Sequence, residues 1–128
     1  MCQSADRPAV LVVDDEEICL VLISGHLTDC GYQVSVAHTG LEALSVLEQD
    51  SGRIALAVVD FRMPGMCGAE LLRVIEDRHP GLPAILMSAY GVRVWDFEDH
   101  TYPWRVGVLA KPFSLAILET LVKGGLRK

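Results

Sequence analysis

The sequence predicts a single α/β domain built on a doubly wound, five-stranded parallel sheet. Five short apolar runs are spread along the chain, and segments with helical spacing of apolar residues separate them. Four of the runs end at residues able to do chemistry: Asp14 with Asp15, Asp60, Ser88 and Lys111. Strands alternating with helices of this length favour right-handed crossovers, which place helices on both faces of the sheet.

Residues 9–13 form an unbroken apolar run before Asp14, the pattern of a strand buried on both faces. Over 17–29, Ile18, Val21, Leu22 and Gly25 recur as a non-polar helical stripe, and Gly31 follows as a stop signal. Residues 32–37 read as the second strand. Leu41, Leu44 and Leu47, flanked by Ala43 and Val46, give the second helix, which Asp50, Ser51 and Gly52 break. Residues 54–59 are apolar again and end in Asp60; Met63, Pro64 and Gly65 then form a loop into a helix carrying Leu71, Leu72 and Ile75. Residues 83–87 give a fourth strand ending at Ser88, and 106–110 a fifth ending at Lys111 and Pro112. Leu115, Leu118, Leu121 and Val122 mark a last amphipathic helix. Between strands four and five, Val92 and Trp95 begin a helical spacing that Asp99 interrupts and Tyr102-Pro103-Trp104 cannot continue, so a short or irregular helix is expected there. Residues 1–128 then form one domain, frayed over 1–8 and 124–128.

The composition, 51% hydrophobic and 22% charged, is that of a folded globular chain. No apolar run approaches the roughly 18 to 20 residues of a membrane span, and residues 1–8 lack the apolar core of a signal peptide, so a cytoplasmic location is expected. The net charge of -6, with Lys and Arg scattered, argues against direct nucleic-acid binding. Cys2, Cys19, Cys30 and Cys67 form no C-x-x-C pair and read as free thiols in or near the core. His26, His38, His79 and His100 share no metal-ligand spacing and are expected at the surface or half-buried.

In open parallel sheets ligands collect outside the carboxyl ends of the strands, where strand order reverses. Asp14, Asp15, Asp60, Ser88 and Lys111 all fall on that rim. Three carboxylates placed together repel one another unless a cation offsets them. Oxygen donors, with no Cys or His at these four strand ends, favour Mg2+. A hydroxyl and a lysine supply a hydrogen-bond donor and positive charge for phosphoryl oxygens. The chemistry reads as attack by a carboxylate on an activated phosphoryl donor. Asp60, alone at the end of the middle strand, is the best nucleophile, and the adjacent Asp14 and Asp15 are better placed to hold metal. Singly, each residue has a plainer reading, a helix cap, a backbone-bonded hydroxyl or a solvated charge. Their combination on one rim argues for the chemistry.

The segments VLVVDDE, VVDFRMPGMCG, ILMSA and LAKPF, in that order and spacing, resemble the receiver domain of two-component response regulators over nearly the whole chain. The resemblance implies a flavodoxin-like sheet of order 2-1-3-4-5. It implies that Asp60 is phosphorylated by a histidine kinase, a phosphotransfer protein or a small phosphodonor, and that the domain signals by a conformational change, catalysing only its own phosphorylation and dephosphorylation. Asp15 and Asp60 would ligate Mg2+ directly, Asp14 would act through a metal-bound water, and the backbone carbonyl of Arg62 would complete the protein ligands. Ser88 would move to meet the phosphoryl group and Lys111 would pair with it. The Lys111-Pro112 bond is typically cis in such domains. Arg62 and Tyr90 stand where residues bordering the phosphoryl group modulate its hydrolysis.

The chain departs from the pattern at Val108, where receivers carry the Tyr or Phe that turns inward on phosphorylation, so a different switch is implied. Trp95, Phe97, Tyr102 and Trp104 either pack over the core or form a dimer or partner surface. Val108 and this aromatic segment suggest the alternative of a phosphorylation-independent binding module. A phosphatase of the haloacid-dehalogenase type would need a second acid two residues after the nucleophile, where Arg62 stands.

Overall fold

Val10, Leu11, Val12 and Val13 are all wholly buried, with alternate side chains entering different clusters on the two faces of the sheet. That is why β1 (Ala9–Val13) reads as an unbroken apolar run. The computed structural model describes residues 7–49, 53–88, 105–111 and 113–126. After β1 come α1 (Glu17–Asp29), β2 (Gln33–Ala37), α2 (Gly40–Gln49), β3 (Ile54–Asp60), α3 (Gly68–Arg78), β4 (Ala84–Ser88), β5 (Arg105–Ala110) and α4 (Leu115–Leu126). The strands form one parallel sheet of order β2-β1-β3-β4-β5, the order the family resemblance implied.

Leu11, Val13, Ala57 and Val59 face a layer made by α2 and α3, packing with Leu44, Leu47, Leu71, Leu72 and Ile75. Val10, Val12, Leu56 and Val58 face α1 and α4, packing with Leu20, Ile23, Leu27, Leu118 and Val122. Pairing brings Val13 level with Ala37 and Val59, Asp60 level with Met87, and Ser88 level with Ala110, so the carboxyl ends of the strands lie along one rim. Beyond the strand ends the backbone stays tied: Asp14 N–H donates to the Ala37 carbonyl at 3.1 Å, Phe61 N–H to Met87 at 2.7 Å and Lys111 N–H to Ser88 at 2.8 Å.

The bounds of α1 are those expected, but its buried face is not. Ile18, Val21 and Leu22 are exposed by 74%, 57% and 57%, and the buried residues are Leu20, Ile23 and Leu27. The segment is apolar around most of its circumference, so spacing could not select which stripe meets the sheet. Leu41 is likewise exposed, with Ala43, Leu44 and Leu47 making the contact. Gly31 adopts φ 100°, and Tyr32 N–H returns to the Leu27 carbonyl at 3.1 Å, so the stop signal ends α1 as expected. α4 continues through Gly124 and Gly125 to Leu126, where fraying was expected, because Gly125 is buried and Leu126 packs against the core. Tyr90, the 95–104 aromatic segment where an irregular helix was expected, and Pro112, where a cis bond was expected, lie outside the described residues. Among the described residues no helix is long and apolar enough to cross a membrane.

Candidate functional site

Asp14, the first residue after β1, carries a wholly buried side chain held from two sides. Its Oδ1 accepts from the Glu16 N–H at 2.9 Å, and its Oδ2 accepts from Lys111 Nζ at 2.9 Å. The same ammonium lies 3.3 Å from Asp60 Oδ1 and 3.7 Å from Glu16 Oε1, so one cation from the end of β5 faces three carboxylates. Asp60 closes β3 and is only 5% exposed. Asp15 is exposed, yet one oxygen from each of Asp14, Asp15 and Asp60 falls within 4.8 Å of the others. Ser88 is buried at the end of β4, and its carbonyl accepts from the Lys111 N–H. Asp14, Asp15, Asp60 and Lys111 therefore meet as the sequence suggested, with Ser88 on the adjoining strand end.

Burial, and next the charge of Asp14, push the Asp60 carboxyl up to about 6, against the pull of Lys111. Burial works against charge on Lys111, but its hydrogen bond to Asp14 and the charges of Asp60 and Asp14 outweigh it and hold the ammonium well above its usual range. Cys19, in the first turn of α1, donates to Glu16 Oε1 at 3.2 Å; burial and then that bond push its thiol up to about 11.

A cleft of about 480 Å³ opens beside the carboxylates, lined by Asp15, Phe61, Arg62, Met63, Pro64 and Cys67. Oxygen donors that converge on a cleft with a solvent-facing side fit a hard divalent cation such as Mg2+, which keeps several waters. Arg62 is on the wall of this cleft, two residues past Asp60.

Sequence reasoning missed two contributors. Glu16 joins the Lys111 network, and its signal was the third acid of VLVVDDE. Gly68 opens α3 hard against the backbone of Asp60 and Phe61; a Cβ there would fall 2.5 Å from the Asp60 carbonyl oxygen. Its signal was the final glycine of VVDFRMPGMCG.

The shift of Asp60 sets a pH dependence. Its folded-state pKa is raised from 3.8 to about 6, so the metal-free fold holds this proton more tightly than the unfolded chain does. The stability this contributes is complete below the lower value and is lost as pH rises through the upper one. In urea unfolding with chelator present, wild type should lose stability relative to Asp60→Asn across that window; a flat difference would show that the carboxyl is unperturbed.

The family model for the response regulator receiver domain matches residues 10–123. Sensor kinase CckA of Brucella abortus (strain 2308) is 36% identical over 119 residues, covering 93% of this chain and 12% of that protein. Response regulator RR06 of Streptococcus pneumoniae serotype 2 (strain D39 / NCTC 7466) is 35% identical over 126 residues, covering 93% of this chain and 53% of that one. The chain thus spans only part of the length of these relatives. The crystal structure of a CheY-like response regulator receiver domain protein from Methanospirillum hungatei JF-1 superposes with a TM-score of 0.84 at 26% identity, covering 95% of each chain. The family match runs from the second residue of β1 into the last turn of α4 and takes in every rim residue that the fold brings together, and the chain belongs to the response regulator receiver domain family.

Proposed function

We propose that this receiver domain, acting as one unit over residues 1–128, accepts a phosphoryl group on Asp60 from a histidine kinase or phosphotransfer protein in the cytoplasm and signals by a conformational change. The observation that carries the reading is the position of Asp60 Oδ1, nearly buried and 3.3 Å from Lys111 Nζ, with the oxygens of Asp14 and Asp15 beside it. An Asp60 oxygen attacks phosphorus, the bond from phosphorus to the donor imidazole breaks, and the imidazole leaves with the electron pair and takes up a proton. Asp15, Asp60 and the Arg62 carbonyl would hold Mg2+, with Asp14 acting through a water, and the ion would supply charge neutralisation at the phosphoryl oxygens.

Lys111 turns part of its charge from Asp14 and Asp60 to the arriving phosphoryl oxygens, and Ser88 donates its hydroxyl to one of them. Arg62 and Tyr90 set the lifetime of the acyl phosphate. The chemistry acts on the domain itself rather than on a separate substrate. Ile18, Val21 and Leu22, exposed on the helix that begins beside the rim, offer the donor protein an apolar contact, and the 95–104 aromatics are the sequence's candidates for a dimer or partner contact.

Intact mass, measured with and without Mg2+ and a small donor such as acetyl phosphate or phosphoramidate, tests the reading. A Mg2+-dependent gain of one phosphoryl group, lost in Asp60→Asn, is the expected result. No gain with several donors, together with no Mg2+ binding, would favour the phosphorylation-independent module to which Val108 points.

A further inference from the structure

The C-terminal turn of α1 meets α4 through side chains that the phosphoacceptor rim does not use. His26 and the C-capping Cys30 are four residues apart, so they share one face of α1, and Glu119 reaches them from α4. His26 Nε2 lies 3.2 Å from Glu119 Oε1 and 3.8 Å from Cys30 Sγ, and one donor atom from each of the three falls within 4.8 Å of the others. Lys123 Nζ holds the other oxygen of Glu119 at 3.1 Å, which leaves Oε1 turned toward the histidine. All three residues are partly exposed and reachable from solvent.

These separations can be compared with a coordination shell. Tetrahedral Zn2+ with ordinary bond lengths sets its nitrogen and oxygen donors about 3.4 Å apart and its nitrogen and sulfur donors about 3.6 Å apart. The two spacings from His26 Nε2, 3.2 and 3.8 Å, match within a few tenths of an ångström, and the Cys30 to Glu119 donor spacing, within 4.8 Å, closes by side-chain adjustment. The contacts that now join the donors are part-exposed hydrogen bonds, of a kind that offers little resistance to displacement.

We propose that His26, Cys30 and Glu119 form a second cation site, for a borderline-soft divalent ion of the Zn2+ class, with water as its fourth ligand. Nitrogen and sulfur donors set it apart from the all-oxygen carboxylates of the rim, so Mg2+ is directed to the rim and Zn2+ to the helix pair. On binding, the Cys30 thiol gives its proton to solvent and the thiolate and neutral imidazole take the ion. The occupied site cross-links the first and last helices of the described fold.

The test is titration of the full metal-free chain with Co2+, in excess Mg2+ to fill the rim, while following the near-ultraviolet charge-transfer band of a cobalt thiolate. One equivalent should saturate the band and Zn2+ should displace it. Cys30→Ser, with Cys30→Ala as a second variant, should abolish it. His26→Gln and Glu119→Gln should each weaken binding at least about tenfold, and Cys19→Ser and Cys67→Ser should leave it intact. Zn2+ should raise the Tm of wild type and not of Cys30→Ser, with circular dichroism confirming that each variant is folded. Absence of the band, its survival in Cys30→Ser, or its loss only in Cys19→Ser would each overturn the proposal; the last would place the ion beside Asp14 and Glu16.

Discussion

Lys111→Met should cost the metal-free protein about 3 to 5 kcal/mol of stability, the usual consequence of removing one partner from a buried ion pair. Asp14 is wholly buried, and the lysine ammonium at 2.9 Å is the cation that pairs with it. Methionine keeps much of the stem volume but leaves Asp14 and Asp60 facing each other without that charge. Mg2+ can take over the neutralisation, so it should stabilise Lys111→Met by more than it stabilises wild type. Urea midpoints in chelator and in Mg2+ measure both effects. Equal stability of the two proteins in chelator would mean that the carboxylates do not need the lysine, and would remove the electrostatic basis for the site.

Gly68→Ala should destabilise by about 1 to 3 kcal/mol and slow phosphorylation of Asp60. The added Cβ would fall 2.5 Å from the Asp60 carbonyl oxygen and 2.8 Å from Phe61 Cα. Both are backbone atoms, so no flexible side-chain end can swing away. The Gly68 N–H also donates to the Phe61 carbonyl at 2.8 Å, which pins the start of α3 to the loop after Asp60. Relief of the clash must therefore displace the end of β3. Gly124 is the control: it sits in α4 with nothing within 4 Å of a Cβ, and alanine there should be neutral or gain up to about 1 kcal/mol. If both substitutions behave alike in unfolding and phosphorylation assays, the close approach at Gly68 has no consequence.

Much of this architecture was legible because parallel strands announce themselves. β1 and β3 are buried on both faces, so their residues are continuously apolar, and the polar residue that ends each run marks the rim. Asp14, Asp60, Ser88 and Lys111 were found in this way. The orientation of α1 was not legible, because Ile18, Val21 and Leu22 are as apolar as Leu20, Ile23 and Leu27, and only packing against α4 and the sheet distinguishes the two faces. The role of Glu16 was hidden for another reason: it depends on where the lysine of β5 points once β1, β3 and β5 share a rim. The meeting of His26 with Glu119 joins residues 93 positions apart, and no local spacing reports such a contact. Strand ends were off by a residue at β2, β4 and β5, where pairing with the neighbour rather than side-chain pattern sets the limit.

The interior position of β1 and β3 bears on how the domain exchanges its amide protons with water. Each has a strand on both sides and helices over both faces, so their inner amides reach solvent only when the whole domain opens. Deuterium uptake in these two strands runs on the clock of global unfolding. A ligand gripped by Asp60 at one pole should then slow uptake in amides near the opposite pole, around Leu56, by the same factor as in those beside it. Occupancy of the rim is thereby recorded through the length of the sheet, without any atom at the far end having to move.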